Sequence, residues 1–223
     1  MQAGNVKYRT IADLPANVAV FPLAAALLLP GGRMPLNIFE PRYLQMVDEV
    51  IGTSRLIGMI QPALDGRARA DGEPELCEVG CLGRLTSFAE TSDGRYLISL
   101  SGVCRFRIGE ELTVKTPYRQ CRIVPFAADL VEDAGASEVD RTSLLKAFRQ
   151  YLEANELEAD WESVSRADNA TLVNALSMMA PYGPAEKQAL LEAADLKTRA
   201  ETLIAITQMT LAQGRDDFVS SLQ

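Results

Sequence analysis

The chain of 223 residues contains no histidine. That absence removes every catalytic triad that needs an imidazole base and every metal site built on imidazole. Cysteine is scarce too: Cys77, Cys81, Cys104 and Cys121 are the only four. So few thiols over this length do not make a disulfide-built secreted scaffold. The Cys77-x₃-Cys81 spacing is one that zinc sites use. With no histidine, and with Cys104 and Cys121 in strand-like patterns, four buried thiols and no metal are expected. No apolar run nears the roughly 20 residues that span a bilayer. The longest, Leu23 to Leu29, is bracketed by Pro22 and Pro30. The chain does not open on a basic stretch followed by a long apolar one, so no secretory leader, no membrane and a cytoplasmic location are expected. Neither the phosphate loop G-x-x-x-x-G-K-[ST] nor G-x-G-x-x-G occurs, and no cofactor is expected.

What is present is ordinary globular composition, 48% apolar and 23% charged, with a net charge of −8. Charge is uneven. From Ser137 onward there are 14 acidic and 8 basic residues; before it, 16 and 14. An acidic chain lacks the electrostatic footprint of a nucleic-acid or anionic-membrane binder, so neither partner is expected.

The apolar pattern changes period along the chain. Residues 1–17 are polar and mixed and read as an irregular lead-in. Val18 to Phe21 is a β-branched and aromatic run closed by Pro22, a strand signature. Leu27 to Leu29 is a second apolar run, stopped by Pro30-Gly31-Gly32. Pro35 and Pro41 hold Met34 to Phe39 extended. Pro41 then suits the first turn of a helix whose face is Tyr43, Leu44, Met46, Val47, Val50 and Ile51, with Gly52 as its stop. Arg55 to Ile60 reads as a strand buried on both faces. Pro62 to Pro74 reads as an exposed loop rich in charge. Val79 to Phe88 is a strand with glycines at 80 and 83, as at a barrel corner. Ser92-Asp93-Gly94 is a hairpin turn. Tyr96 to Ile108 alternates with a break at Gly102, which puts Arg105 and Arg107 on a face of their own. Tyr118 to Phe126 is a further strand.

Ala127 to Ser137 reads as a linker, and beyond it the period becomes 3.6. Leu144, Leu145, Phe148, Tyr151 and Leu152 share one helical face, and Trp161 falls in a connecting segment. Asp168 caps a helix carrying Leu172, Val173, Leu176 and Met179. Pro184 opens a short helix that buries Leu190 and Leu191. Asp195 caps a long last helix, with a frayed tail from Asp216 and Asp217 onward.

Phe21-Pro22-Leu23, Leu29-Pro30-Gly31-Gly32 and Ile38-Phe39-Glu40-Pro41-Arg42-Tyr43, in this order and spacing, resemble the opening of the Lon protease N-terminal domain, the LON substrate-binding domain. Glu78 to Arg84, Asp93 to Tyr96 and Gly102 to Phe106 resemble its continuation, so the motifs cover about residues 15–126. One departure is Asn37, where the family often has histidine. The resemblance implies an α+β fold: a PUA-like β pseudo-barrel with one helix over residues 1–128, then an α-helical bundle over 137–223. It also implies a stand-alone protein of the bacterial type, peptidase S16-like, without the ATPase and Ser–Lys protease modules. No catalytic residue transfers, and no enzymatic activity is expected.

The function so implied is non-enzymatic binding of polypeptide segments, in protein quality control. Capture would use an apolar groove between the β-rich part and the helices, rimmed by the loop Pro62 to Pro74, or an exposed sheet edge. Contact candidates are Glu40, Arg42, Tyr43, Arg67 and Arg69. Glu40 and Arg42 have a second reading: a carboxylate favoured at a helix N-terminus and an arginine paired elsewhere in the fold. Tyr43 also reads as a packing residue. Arg95, Arg105 and Arg107 read as a basic patch or as a solvated strand face. Two alternatives are an adaptor for one folded protein and, by fold analogy alone, an RNA-binding PUA-like protein.

Overall fold

The structure, a computed structural model, describes residues 1–131 and 135–220, the last seven by backbone alone. The lead-in is not irregular. Gln2–Ala3 (β1) and Val6–Lys7 (β2) form a small antiparallel hairpin, followed by a 3-10 turn over Ile11–Asp13. The hairpin exists because the chain turns at Gly4, φ +57°. The Met1 amino group anchors it by donating to the carbonyls of Tyr8 and Leu130, at 3.0 and 2.9 Å.

Then come β3 (Asn17–Pro22), β4 (Arg33–Ile38), helix α1 (Pro41–Ile51), β5 (Leu56–Ile60), β6 (Val79–Glu90), β7 (Tyr96–Glu111) and β8 (Gln120–Pro125). The sheet order is β4-β7-β6-β5-β3-β8, and β8 pairs again with β7. Five strands therefore close a ring. β4 lies outside it, paired along one side to the first half of β7. Among the described residues only β3 and β5 run parallel, joined through β4 and α1. All five residues of β5 are buried, as its unbroken apolar run predicts.

Long β7 pairs with β6 along one side and with β4 and then β8 along the other, and its register with β6 shifts beside Gly102. Leu29's carbonyl oxygen occupies the place where a Cβ on Gly102 would stand. The glycine's own backbone exchanges hydrogen bonds with the turn before β4: Gly31 N–H to Gly102 O at 3.0 Å, and Gly102 N–H to Gly32 O at 2.9 Å. Leu27, Leu28 and Leu29 are thus fully buried without belonging to any strand. Gly80 has a similar duty, since a Cβ there would lie 2.6 Å from the Phe106 ring, which fills the barrel.

The remaining helices are α2 (Arg141–Ala154), α3 (Trp161–Arg166), α4 (Asn169–Met179), α5 (Pro184–Glu192) and α6 (Leu196–Ser220). Trp161 is the first residue of α3, not a connector, because the Asp160 carboxylate accepts from the Glu162 and Ser163 amides. Asp140, Asp168 and Asp195 cap α2, α4 and α6 in the same way. The backbone is helical to Ser220; the rest of the expected frayed tail, residues 221–223, and the side chains of Asp216 and Asp217 lie outside the described residues. α2, α4 and α5 each pack on α6.

One apolar cluster fills the barrel interior around Phe106, Val20, Leu82 and Cys104. A second, larger one runs from Leu29, Ile38, Met46 and Leu100 into Leu144, Val173, Leu190 and Leu203. The sheet and the helices thus share a core. No helix among the described residues is long and apolar enough to cross a membrane.

Candidate functional site

A groove of about 860 Å³ opens between the β-rich part and the helices. One wall is the stretch around the Pro30-Gly31-Gly32 turn with Met34 and Pro35 of β4. The opposite wall is α4, through Asn174, Ala175, Met178 and Met179. Lys187 of α5 and the α5–α6 turn close one end. The walls are tied together. Asn174 Nδ2 donates to the Pro30 carbonyl at 3.0 Å. Lys187 Nζ donates to the Ala25 carbonyl at 2.9 Å, and Ala25 N–H donates to Gln61 Oε1 at 2.9 Å. Met178 sits directly on Gly32, where any Cβ would collide with its sulfur. Met179 points outward, 80% exposed.

Beneath the groove lie two buried arginines. Arg105 of β7 is 2% exposed. Its Nε and Nη2 donate to the two oxygens of Asp129 at 2.8 and 2.9 Å, and its backbone N–H donates to Oδ2 at 2.8 Å. The same guanidinium reaches the carbonyls of Leu191, Ala193 and Ala194. It so satisfies the last turn of α5, where a cation is favoured by the helix dipole. The solvated strand face expected for Arg105 and Arg107 is therefore half wrong. Arg107 is exposed and paired with Glu78 at 2.6 Å, but Arg105 points inward, because Asp129 and α5 cover it. Arg95 pairs with Asp93 at 3.0 Å, so these arginines form no basic patch.

Arg199 of α6 is the second. Its Nε donates to the Leu190 carbonyl at 2.9 Å and its Nη1 to Asn174 Oδ1 at 3.0 Å. Burial, and then the neighbouring Arg105 charge, pull its pKa down from 12.5 to about 10.

The residues singled out from the sequence gather elsewhere. Arg42 bridges Glu40 at 3.0 Å and Glu73 at 2.8 Å, with its guanidinium 4.8 Å from the centre of the Tyr43 ring. Glu40 caps α1 by position, yet its side chain makes no capping bond and turns to Arg42 instead. Tyr43 is buried, 4.2 Å ring to ring from Phe21, and its hydroxyl pKa is raised by burial. Arg67 pairs with Asp65 and Glu75, at 2.5 and 3.1 Å. Arg69 pairs with Asp71 and Glu111. Arg42 and Arg69 line a smaller, polar pocket of about 490 Å³ with Glu73, Glu111 and Arg119. The segment 62–74 rims that pocket and contributes nothing to the larger groove. Each guanidinium named from the sequence already has its carboxylate.

The thiols carry no ligand set. Among the described residues no group of three or more histidines, cysteines or carboxylates is placed to hold a metal. Burial pushes the Cys104 pKa to about 12 and that of Cys121 to about 11.

Residues 17–208 match the profile of the ATP-dependent protease La (LON) substrate-binding domain. The chain belongs to this LON family. Lon protease 2 of Myxococcus xanthus is 26% identical to it over 209 residues, covering 87% of this chain and 24% of that protein. This LON domain thus spans about a quarter of the length of the Lon proteases it matches. Two solved structures have its fold. The Lon N-terminal domain protein from Xanthomonas campestris superposes with a TM-score of 0.62 at 23% identity, over 85% of this chain and 97% of that one. The N-terminal domain of the Mycobacterium avium complex Lon protease gives 0.63 at 18%, over 86% and 98%. Against that fold, a mixed sheet with several helices, the sequence motifs located the turn and strand that make one wall of the groove. The helix that is α4 and the position of Arg105 were read too, but not that α4 faces the turn across a groove, nor any part for Asp129 and Arg199. The Met178-Met179 doublet at a helix end was the one local signal for the second wall.

Proposed function

We propose that this LON substrate-binding domain is a non-catalytic, cytoplasmic module that takes up extended polypeptide segments in the groove, as a step in protein quality control. In this reading the β part is the PUA-like pseudo-barrel, residues 1–128, and the helical bundle is 137–223. The observation that carries it is the groove itself, walled by Met34, Met178 and Met179. Unbranched, polarizable methionine side chains repack around different partners, which suits a binder that accepts many sequences. β4 supports it as well. The strand is paired on one side only, and its free edge offers backbone groups to an added extended segment, with Pro35 leaving one donor out.

The test is fluorescence anisotropy with a labelled, reduced and carboxymethylated unfolded protein. Binding is expected, weakened about tenfold by Met179→Asp, a change of about 1.4 kcal/mol. A melting temperature unchanged by that substitution would show that the fold is intact. Equal affinity of Met179→Asp and the parent chain, or no binding at all, sinks the reading.

A further inference from the structure

Of the three buried arginines, Arg84 is satisfied away from the groove by neutral oxygens of Tyr8, Ser54 and Asn5, while Arg105 and Arg199 border the groove, and of these two only Arg105 has its counter-charge. Arg105 is fully matched by the Asp129 carboxylate and three carbonyls. Arg199, 4% exposed, has two neutral acceptors and no carboxylate within ion-pair distance among the described residues. Its Nη2 is the one buried side-chain nitrogen or oxygen among the described residues without a hydrogen-bond partner. A buried charge left unpaired is strongly destabilising, and a guanidinium presents a planar fork that fits a carboxylate. Asp195, close in sequence, is committed to capping α6 through the Thr198 amide at 2.7 Å. Asp168, on the opposite wall, is committed to Thr171. Asp129 is held by Arg105. Three of the groove's four acids are therefore in use, the fourth being the exposed Glu138, and Arg199 with Lys197 makes a cationic end.

We infer that Arg199, oriented by Asn174, is an anchor for a carboxylate of the bound segment, so that the groove selects polypeptides bearing a free acid at one position. Asn174 is the positioning residue: Oδ1 accepts from Arg199 Nη1 while Nδ2 holds the Pro30 carbonyl. Seating a carboxylate gives Nη2 the partner it lacks. It also offsets the burial and the neighbouring Arg105 charge that weigh on the Arg199 guanidinium. This rests on the groove being the peptide site.

The test compares three peptides of one apolar sequence by calorimetry. One has a free C-terminus, one an amidated C-terminus with an internal Asp, and one is amidated with Asn in that place. The expected result is at least tenfold tighter binding for one acid-bearing peptide than for the neutral one; which acid wins tells chain end from side chain. Arg199→Met should abolish the preference, with the variant's melting temperature checking that it folds. Should that variant fail to fold, a crystal structure of the unaltered chain with the preferred peptide decides instead, with its carboxylate expected within hydrogen-bond distance of Nη2. Equal affinities for all three peptides, a preference that survives Arg199→Met, or a carboxylate seated elsewhere overturns the anchor alone. No binding of any peptide overturns the groove reading with it.

Discussion

Gly102 of β7 and Gly31 of the turn it is hydrogen-bonded to fail differently when changed. At Gly102 a methyl group would meet the carbonyl of Leu29, which is backbone and cannot swing aside. At Gly31 a methyl would meet nothing, but φ is +77°. Gly102→Ala is therefore expected to cost about 3 kcal/mol or more, as overpacking against fixed backbone does. Gly31→Ala should cost about 1 kcal/mol, the ordinary strain of a left-handed alanine. Urea midpoints of the two variants check this; equal losses would mean that the Leu27–Leu29 segment gives way. The thiols make a second residue-level prediction. Burial raises the pKa of all four, to about 12 at Cys104 and about 11 at Cys121. A disulfide reagent at pH 8 should titrate only half-buried Cys77 in the native chain and all four in guanidinium. Rapid native reaction of a second thiol would contradict the closed barrel.

Four of the five C-terminal helices start at an aspartate whose carboxylate takes backbone N–H groups. Bonds from Ser143 to Asp140, Ser163 to Asp160, Thr171 to Asp168 and Thr198 to Asp195 hold each carboxyl below its ordinary 3.8. A folded pKa that is depressed means stability present above the unfolded value and lost as pH falls through the folded one. The helical half should thus lose ellipticity at 222 nm as pH drops below about 4. Changing Asp160, Asp168 and Asp195 together to Asn keeps a capping oxygen and removes the titration. That variant should show a shallower acid limb; an unchanged limb would assign the acid transition to other groups. These caps were readable at Asp168 and Asp195, because an Asp three residues before a Thr, ahead of an apolar stripe, is a local signature. Asp160 was not read so, because only six residues follow it in helix and no stripe reveals them.

At the scale of the whole molecule, the sheet and the helices are joined by a shared core and by Arg105, which is paired with Asp129 and reaches from β7 to the carbonyls at the end of α5. Asp129→Leu leaves Arg105 charged and buried, with an expected loss of about 3–5 kcal/mol. Adding Arg105→Met should return part of that loss, since an apolar pair replaces the orphaned charge. Because the core is continuous, we expect both halves to unfold together. Trp161, the only tryptophan, reports the helices, and Cys104 labelling reports the barrel. Their denaturation curves should coincide, and they should shift together in Asp129→Leu. Separate midpoints would show two independently stable units.

Local chemistry was enough for the elements and for the family. Proline and glycine placement set β3, the turn at Pro30 and the start of α1, since these residues restrict or free the backbone whatever surrounds them. The absence of histidine removed whole classes of chemistry in the same context-free way. Alternation could say that Arg105 faces away from Cys104, but not what covers it. Asp129 lies 24 residues later and Leu191 lies 86 residues later. The charged cluster around Glu40, Arg42, Arg67 and Arg69 looked available in the sequence for the complementary reason, that ion-pair partners have no fixed spacing. Only the tertiary structure decided which arginines are spent within the fold and that Arg199 is buried beside an open groove without a carboxylate among the described residues. Pairing of charges depends on distance in space, and distance in space is what a linear pattern does not contain.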